Sequence, residues 1–548
     1  MTTPSTHSPR TDPLLLRRPA ASLRALDRDG PLAAAVDASL SRAVEHCLGL
    51  QGADGSWEVL PDPRVFETAL CGVALSQTPG GLDHQAVARA RAWVRGAAPQ
   101  DHHPVARLLE ETLRRILLGE GGPVDLRAAE IEAPSSASRL ALLHTLALHA
   151  GLEVRASASE EQLRRRIAGE YERSSQARLK QWSKIELIAT HILLQARAGD
   201  GAAVAAAGFE LAQVQAPRPD FFLNPVSAAL AYLALCVAAP ASASRFRVRA
   251  RLLDDQRPDG TWRFCTSDVW DTSLLVRAFG QHPGFARAGL SSALDFLQAT
   301  QNDDGGWPFR ARVESDNDTT GAVVLALRGT LHGERTIDRA LAYLGRVQME
   351  GGLWRTWQFR DDPPVEDVVA HVLSALDAYP GRHAIATDAA RRWLVAETER
   401  RGSWAASWYR GVPYAVAEIG RALGPEHPRV RRAVDDLAAA QGDDGGWSPD
   451  LAGPSTASAT GQTLMAIADR HPERAARALR YLVDTQRADG TWPGAPDMYG
   501  PRPLLSHSIT HTQAFVVGGI MAAVARRRPS RGASPLRQRE PAKGRRRR

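Results

Sequence analysis

Long stretches of the chain place apolar residues at the spacing of one helix face. Residues 105–118, 137–152 and 181–198 show this spacing, and Ala- and Leu-rich segments with the same spacing follow further along. Each of the three named stretches is long enough for about four or five helical turns. The pattern predicts an all-α protein.

A short motif, Gln-x-x-(Asp/Gly)-Gly-x-Trp, interrupts this pattern at regular intervals. The last six motif tryptophans lie between 43 and 50 residues apart. We expect a helix to run into the Gln, a glycine turn to follow, and the Trp to pack back across the helix end as a structural residue. A helix pair of about 45 residues cannot bury its apolar face alone, so the repetition predicts a solenoid or a closed double ring of helices. The copies begin at Gln51, Gln256, Gln301, Gln348, Gln441 and Gln486, with a degenerate copy at Thr398.

One interval between motif copies is much longer than the others. About 200 residues separate Trp57 from Trp262 without a clean copy, although the segment keeps the helical pattern. The sequence therefore predicts a second all-helical domain over residues 40–250. Residues 1–39 and 251–525 would then form the domain with the regular repeats.

The net charge of +7 is concentrated at the C-terminus. Residues 526–548 hold eleven of the 68 Lys and Arg and one of the 61 acids, so this segment carries +10 and the remainder −3. We expect a disordered basic tail and no basic face for nucleic acid. The alternative is a tail that binds an anionic surface.

Neither a secretory signal nor a membrane span is expected from the apolar segments. The first thirty residues lack a continuous apolar run. The most apolar stretch, residues 226–239, reaches about 21 Å as a helix, short of the roughly 30 Å hydrocarbon core. We expect a cytoplasmic protein, with a shallow membrane contact as the alternative. The sequence does not indicate the oligomeric state.

Acidic and hydroxyl side chains are clustered just ahead of a predicted helix. Asp316 and Asp318 are followed by Thr319 and Thr320. One interpretation is structural, because Asp318 can cap the helix. The other is a shared pocket, in which burial and like charge raise the pKa of one carboxyl and make it a general acid that the threonines orient. A D-x-D-x-T phosphatase loop fits less well, because no apolar strand precedes the segment.

The next repeat places Asp367 and His371 one helical turn apart. We expect the carboxylate to hold the imidazole charged and oriented beside the acid loop, where an imidazolium would stabilise Asp316 as an anion. The alternative is an ordinary surface pair.

Several aromatic residues lie outside the repeated motif or close to such positions. Aromatic faces stabilise a carbocation without trapping it, and core packing is the alternative role. The candidates are Trp270, Phe309, Trp357, Trp408 and Tyr409.

Lysine is rare in a chain that carries most of its positive charge on arginine. Two of the three lysines, Lys180 and Lys184, lie four residues apart on a predicted helix. Compact point charges suit a diphosphate, and a solvated helix face is the alternative.

The repeats, the acid loop and the segments PPVEDVVAHVL (363–373) and STASATGQTLMAI (455–467) resemble the class II terpene cyclases of the squalene–hopene cyclase superfamily. The likeness runs from about residue 51 to about residue 524. It implies two α-barrel domains, the second inserted near the N-terminus of the first. By the match to the family motif D-x-D-D, Asp318 would be the proton donor and Asp316 its polarising neighbour. Asp367 and His371 would tune the acid.

Thr319 replaces the last Asp of that motif. The resulting D-x-D-T-T resembles the bacterial drimenyl diphosphate synthases and implies conversion of farnesyl diphosphate to a bicyclic drimane-type diphosphate. Asp254-Asp255 and Asp361-Asp362 do not continue as D-D-x-x-D, so we expect the diphosphate to be retained. The resemblance also implies Mg²⁺, with Glu67 as a candidate ligand. The sequence does not identify the base that removes the final proton; water, His507 and His511 are the candidates.

Other functions stay open on the sequence. They are a copalyl-type cyclase of geranylgeranyl diphosphate, a squalene or hopene cyclase, and a helical-repeat scaffold without catalysis. A barrel like that of protein prenyltransferases would need a zinc site, for which no Asp, Cys and His set is evident.

Overall fold

The computed structural model describes residues 30–100, 102–174, 179–215, 224–330, 333–359, 362–382 and 385–524. Regular structure in these residues is α-helix, apart from two short pairs of strands and two single-turn 3₁₀ helices. The prediction of an all-α protein is confirmed. The predicted basic tail lies outside the described residues. No helix among the described residues is both long and apolar enough to cross a membrane.

The first part of the described chain contains α1 to α11 and one parallel pair of two-residue strands. The strands are β1 (Val124–Asp125) and β2 (Val154–Arg155). The helices are α1 (Gly30–Gly49), α2 (Val65–Ser76), α3 (His84–Gly96), α4 (Pro104–Leu118), α5 (Arg127–Glu132), α6 (Ala137–His149), α7 (Glu160–Ser174), α8 (Gln181–Arg197), α9 (Gly201–Gln215), α10 (Pro225–Ala238) and α11 (Ala243–Asp255).

The second part contains α12 to α23 and one antiparallel hairpin. Its strands are β3 (Met498–Tyr499) and β4 (Leu505–Ser506). The helices are α12 (Asp268–Phe279), α13 (Pro283–Ala288), α14 (Leu290–Ala299), α15 (Asn317–Ala326), α16 (Glu334–Arg346), α17 (Glu366–Asp377), α18 (Asp388–Arg401), α19 (Val412–Leu423), α20 (Pro428–Ala439), α21 (Ala457–Ile467), α22 (Pro472–Thr485) and α23 (Ile509–Val524).

The helices form two closed rings. In the first ring, α12, α15, α17, α19, α21 and α23 each contact the next, and α23 returns to α12. Helices α14, α16, α18, α20 and α22 pack outside them, together with α1 from the N-terminal part. In the second ring, α2, α4, α6, α8 and α10 close in the same way, with α3, α5, α7, α9 and α11 outside. Of the two architectures that the repeats allowed, the structure shows the closed double ring.

The repeated motif holds each outer helix to its turn and to a neighbouring helix. Every motif tryptophan is buried, and its indole N–H donates to the carbonyl ten residues earlier, at 2.6 to 2.9 Å. The Gln301 amide donates to Gly305 O and to Thr336 O of α16. Gly305 has φ +90°, and a Cβ there would lie 2.6 Å from Arg339 O, so glycine is required. The structural role predicted for the motif is confirmed.

The structure places both domain boundaries later than the sequence suggested. The predicted boundary at residues 39 and 40 falls inside α1, and both halves of that helix, with Trp57, pack in the core of the first ring. The predicted boundary at residue 251 falls inside α11, whose Leu252 packs with Trp262 in the second core. The motif explains why both boundaries come later in the chain. Each motif Trp packs in the same core as the helix that precedes it, α1 for Trp57 and α11 for Trp262.

Candidate active site

A cavity of about 280 Å³ lies where the two rings meet. The first ring contributes the N-terminal ends of its inner helices and the segments just before them. The second ring contributes residues at the start of α8. The β3–β4 hairpin, which belongs to the second part of the chain, inserts Arg502. Its lining includes Arg139, Lys180, Trp182, Glu186, Phe264, Ser267, Trp270, Phe309, Asp316, Asp318, Thr319, Thr356, Trp357, Trp408, Tyr409, Met498, Tyr499 and Arg502.

Asp316 is the N-cap of α15. Its Oδ1 accepts the backbone N–H of Thr319 at 2.6 Å, and its Oδ2 accepts the Thr319 hydroxyl at 3.0 Å. Burial, with the repulsion of Asp318, raises the pKa of Asp316 to about 8 even though these hydrogen bonds oppose the rise. Asp316 therefore carries its proton at neutral pH. The expectation that Asp318 caps the helix is wrong, because the turn gives Asp316 the extended backbone of a cap.

Asp318, one residue inside α15, is bonded to His371 of α17. The His371 Nδ1 lies 2.5 Å from Asp318 Oδ1, and its Nε2 lies 3.2 Å from Glu418 of α19. Burial disfavours the imidazolium, but Asp318 and Glu418 outweigh it and raise the pKa of His371 to about 9. His371 is therefore charged and hydrogen-bonded to Asp318. The expectation that it stabilises Asp316 as an anion is wrong, because the raised pKa of Asp316 keeps that group neutral.

Glu418 is a site residue that sequence reasoning missed. Burial would raise its pKa, but Arg421, Arg277 and His371 together hold the pKa of Glu418 well below its usual range. Its carboxylate thus supplies a permanent negative charge behind His371. Its position one repeat after His371, on the next inner helix, was the only signal in the sequence.

Asp367 does not orient His371 through a hydrogen bond, in contrast to the prediction. Its Oδ2 accepts the backbone N–H groups of Ser407 and Trp408, at 3.0 and 3.1 Å. Burial and the nearby Asp318 charge raise the pKa of Asp367 to about 6. The helical spacing does place Asp367 and His371 one turn apart. The Asp367 carboxylate is instead engaged by backbone N–H groups of the next repeat. Asp367 therefore fixes the segment that carries Trp408 and Tyr409.

The two threonines of the acid loop differ in position. Thr319 lines the cavity and donates its hydroxyl to Asp316. Thr320 does not line it: its Oγ1 accepts the backbone N–H of Trp307 at 2.9 Å and donates to Asp316 O at 2.6 Å. The catalytic role predicted for Thr320 is replaced by a structural one, since its hydroxyl ties the motif turn to α15.

All five predicted aromatic residues line the cavity. The Trp270 ring lies 5.9 Å from His371 and 6.4 Å from Tyr409. Edge contacts link Trp357 to Trp408, at 5.2 Å, and to Phe309, at 6.5 Å. Sequence reasoning missed Trp182, Phe264 and Tyr499. Phe264 follows the motif tryptophan Trp262 by two residues, as Phe309 follows Trp307, and this offset was the signal that could have found it.

The two candidate lysines do not share the cavity. Lys180 lines it, with its Nζ 3.6 Å from Asp362 and 3.8 Å from the Trp357 ring centroid, and burial lowers its pKa to about 8. Lys184 is not among the lining residues and pairs with Glu210 at 2.8 Å. The helix begins only at Gln181, so Lys180 lies on an extended residue that turns it towards the cavity.

Two arginines supply cationic groups to the cavity that the sequence did not single out. Arg139 lines it and pairs with Glu186 at 2.9 Å. Arg502 lines it with its guanidinium 4.3 Å from the Trp408 ring centroid. With Lys180, these side chains make a cationic cluster that suits an anionic group.

Glu67 does not fit the metal site predicted for it. It is buried, and both of its carboxylate oxygens accept hydrogen bonds from the Arg64 guanidinium. The arginine thus engages both oxygens, and the positive guanidinium repels a cation placed beside this carboxylate. No group of three His, Cys, Asp or Glu side chains arranged for a metal ion occurs in the described parts of the chain. The expected Mg²⁺ site is not found at Glu67.

The two histidines considered as terminal bases occupy different environments. His507 pairs with the exposed Asp62 at 2.7 Å and does not line the cavity. His511 is fully buried and hydrogen-bonded to Tyr409, which does line it.

Comparison with known proteins supports the resemblance seen in the sequence. The family model for the squalene–hopene cyclase C-terminal domain matches residues 358–500. A drimenyl diphosphate synthase of Streptantibioticus cattleyicolor is 31% identical over 345 residues, covering 58% of this chain and 64% of that protein. A squalene–hopene cyclase of Bradyrhizobium diazoefficiens is 29% identical over 293 residues, covering 42% of this chain and 44% of that protein. The matches thus span less than two thirds of these relatives.

Solved structures include one with the same overall fold. The ent-copalyl diphosphate synthase of Streptomyces platensis covers 91% of this chain and 100% of its own, with a TM-score of 0.57 and 20% identity. The resemblance to class II terpene cyclases and the all-α barrel fold are confirmed.

Proposed function

We propose that the protein is a class II terpene cyclase that converts farnesyl diphosphate to a drimane-type bicyclic diphosphate, with the diphosphate retained. The observation that carries the proposal is a carboxyl group, Asp318, that faces an aromatic cavity and is bonded to a buried imidazolium. The relatives named drimenyl diphosphate synthase support the choice of substrate and product.

Asp318 is the proton donor in this proposal. An alkene is a weak base, so its protonation needs an acid stronger than an ordinary carboxyl group. Glu418 keeps His371 charged while Asp318 still holds its proton. The imidazolium then stabilises the Asp318 carboxylate that remains after the proton leaves, which strengthens the acid. Asp316, neutral at pH 7 because burial raises its pKa to about 8, adds no opposing charge.

The aromatic lining would carry the cation through the ring closures. Trp270, Phe309, Trp357, Trp408 and Tyr409 present π faces or edges to the cavity, and the ring faces stabilise a cationic carbon. A folded substrate that fills this apolar lining would displace water, which would otherwise capture the cation as an alcohol. The two remaining double bonds of the folded substrate then capture the cation in turn, and each capture closes one ring.

Lys180, Arg139 and Arg502 would hold the diphosphate in the same cavity. Their charges match an anion that stays on the substrate throughout the reaction. Lys184 is not part of this proposal, because Glu210 already pairs with it outside the lining. Mg²⁺ stays a prediction of the resemblance, and no step here depends on it.

A copalyl-type reaction on geranylgeranyl diphosphate is the second candidate. The fold shared with an ent-copalyl diphosphate synthase is compatible with it. The D-x-D-T-T sequence and the names of the relatives favour the farnesyl substrate.

The direct test is product analysis with the purified full chain. Farnesyl diphosphate, geranylgeranyl diphosphate and squalene would each be supplied with Mg²⁺, followed by phosphatase treatment and mass spectrometry. We expect a bicyclic C15 alcohol after phosphatase, from farnesyl diphosphate. Asp318→Asn should lower turnover by about 10²- to 10⁴-fold. Absence of cyclised product from all three substrates, or full activity of Asp318→Asn, would refute the proposal.

A further inference from the structure

A buried chain of hydrogen bonds begins at the cavity wall and is not used in the protonation step. The Trp270 Nε1–H lies 2.7 Å from Tyr409 Oη, which lies 3.2 Å from His511 Nδ1. The His511 Nε2 lies 2.8 Å from Asp271 Oδ1. Tyr409 is 1% exposed, and His511 and Asp271 are 0% exposed.

The donors in this chain can be assigned from one fixed point. An indole N–H only donates, so Tyr409 Oη accepts from Trp270 and is free to direct its own hydrogen to His511 Nδ1. Nδ1 then accepts, and a ring hydrogen on Nε2 is donated to Asp271 Oδ1. The hydrogen bonds thus run in one direction, from the cavity to a carboxylate.

Asp271 is held as the end of the chain by two hydroxyl groups. Ser267 Oγ donates to its Oδ1 at 2.7 Å, and Thr510 Oγ1 donates to its Oδ2 at 2.6 Å. These hydrogen bonds fix the position of both carboxyl oxygens. A carboxylate in this position stabilises a positive charge that arrives on His511.

We propose that Tyr409 accepts the proton that ends the cyclisation, with His511 as its relay partner and Asp271 as the positioning residue. This inference rests on the proposed function. In the step, the C–H bond beside the final cationic carbon breaks, and its electron pair forms the product double bond. The proton goes to Tyr409 Oη while the hydrogen of Tyr409 passes to His511 Nδ1. The imidazolium formed beside Asp271 returns its proton through Tyr409 to water that enters the cavity after product release, so no co-reactant is needed.

The surroundings of Tyr409 favour relay over a phenolate base. Burial holds the pKa of Tyr409 well above its usual range, and the charges of Asp497, Asp271 and Asp318 add to this effect although the Trp270 hydrogen bond opposes it. A phenolate would also attack the cation and form a covalent ether. A phenol that gives one proton as it takes another stays neutral throughout.

The acid and this relay are separated on the ring of inner helices. Asp318 and His371 belong to α15 and α17, whereas Asp271 and His511 belong to α12 and α23. Trp270 lies between them, with its ring near both His371 and Tyr409. The proton therefore enters and leaves the substrate at different places on one cavity wall.

The test is the product ratio of Tyr409→Phe, His511→Gln and Asp271→Asn acting on farnesyl diphosphate. The readout is the ratio of the main alkene product to water-captured alcohols and other alkene isomers, after phosphatase treatment and gas chromatography with mass spectrometry. We expect the first two variants to keep consuming substrate while the ratio falls at least about tenfold, with a smaller fall for Asp271→Asn. His507→Gln is the matched control, because this histidine pairs with Asp62 outside the cavity lining, and its ratio should equal that of the wild type.

The outcomes separate this inference from the proposed function. If the wild type gives a bicyclic product but Tyr409→Phe and His511→Gln leave the ratio unchanged, the relay is refuted and the cyclase remains. Lower thermal stability or slower turnover at a fixed ratio would show a structural role only, and would refute the relay as well. If the wild type gives no cyclic product, both fail. Tyr409→Phe removes a single oxygen atom and keeps the test valid if Asp271→Asn does not fold.

Discussion

At the scale of single residues, the acid site is a modified copy of an ordinary helix cap. In the repeat that contains α21, Thr456 caps the helix by accepting the backbone N–H of Ala459, and Thr460 Oγ1 accepts the N–H of Trp447. Asp316 and Thr320 occupy the same places in α15. Carboxyl groups at the first and third positions of this template, in place of Thr456 and Ser458, turn a cap into a pair of acids.

The alkaline side of the pH profile should report on this pair. Above the pKa of about 8, Asp316 ionises beside Asp318 and opposes formation of a second carboxylate. Above about 9, His371 loses the charge that strengthens the acid. We therefore expect kcat to fall from about pH 8 upwards, by about tenfold per unit beyond pH 9.

Both groups also have pKa values above those of the unfolded chain. Their contributions to stability are thus present at low pH and are lost as pH rises, through about 8 for Asp316 and about 9 for His371.

The variant Glu418→Gln tests the role of the charge behind His371. Removing the negative charge of Glu418 should move the alkaline fall of kcat to lower pH, because one stabiliser of the imidazolium is lost. An unshifted profile in a folded Glu418→Gln would contradict this account.

The two lysines provide a matched pair for testing the anion site. Lys180→Ala should raise KM for farnesyl diphosphate by about tenfold or more, as expected for a lost charge-assisted hydrogen bond. Lys184→Ala removes an equal charge four residues away and should leave KM unchanged, since Lys184 pairs with Glu210. Steady-state kinetics of both variants decide between a cationic site and a general effect of net charge; equal KM changes would contradict the assignment.

At the scale of helices, the glutamines of the motif join the outer helices of the first ring. Gln51 donates to Gly289 O before α14, Gln301 to α16, and Gln348 to Ala386 O before α18. Gln486 donates to Ser39 O of α1, which closes the ring through the N-terminal helix. In the degenerate copy α18 runs on to Arg401, past the Gln position, and the ion pair between Arg429 of α20 and Glu399 takes over the link.

Removing one glutamine should weaken the ring by a measurable amount. Gln301→Ala loses two hydrogen bonds, to Gly305 O and Thr336 O. At about 1 kcal/mol for each bond, the free energy of unfolding should fall by about 2 kcal/mol. Chemical denaturation measures the change, and Thr398→Ala, at the position that lacks the amide, is the control. If the free energy of unfolding fell equally in both variants, the hydrogen bonds of the Gln301 amide would contribute nothing specific to stability.

At the scale of the whole molecule, the β3–β4 hairpin couples the two rings. Arg64 of the second ring donates to Leu505 O at 3.1 Å and to Gly500 O at 2.7 Å. Gln100 Oε1 accepts the Leu505 N–H at 2.9 Å. The hairpin thus carries Arg502 into the cavity while the second ring holds its backbone. Glu67 belongs to this arrangement because its carboxylate orients Arg64.

The role of Glu67 can be decided by one variant with two measurements. Glu67→Gln leaves Arg64 buried without its counter-charge, so the free energy of unfolding should fall by about 3 kcal/mol. The Mg²⁺ concentration for half-maximal activity should stay the same if the role of Glu67 is to orient Arg64. A large rise in that concentration would instead support the metal-ligand role predicted from the sequence. Glu58→Gln, which breaks the pair between the exposed Glu58 and Arg310, should change neither by much.

The sequence by itself determined the helical repeats, the buried motif tryptophans, the acid loop and the aromatic residues around it, because each depends on spacing along one or two neighbouring helices. Tertiary structure alone decided which groups face each other across helices: Glu418 behind His371, Asp367 on the Trp408 backbone, and Tyr409 bonded to His511. It also decided that Lys180 lines the cavity whereas Lys184 pairs with Glu210, and that Glu67 is hydrogen-bonded to Arg64. These contacts join residues far apart in the chain, and ring closure brings them together.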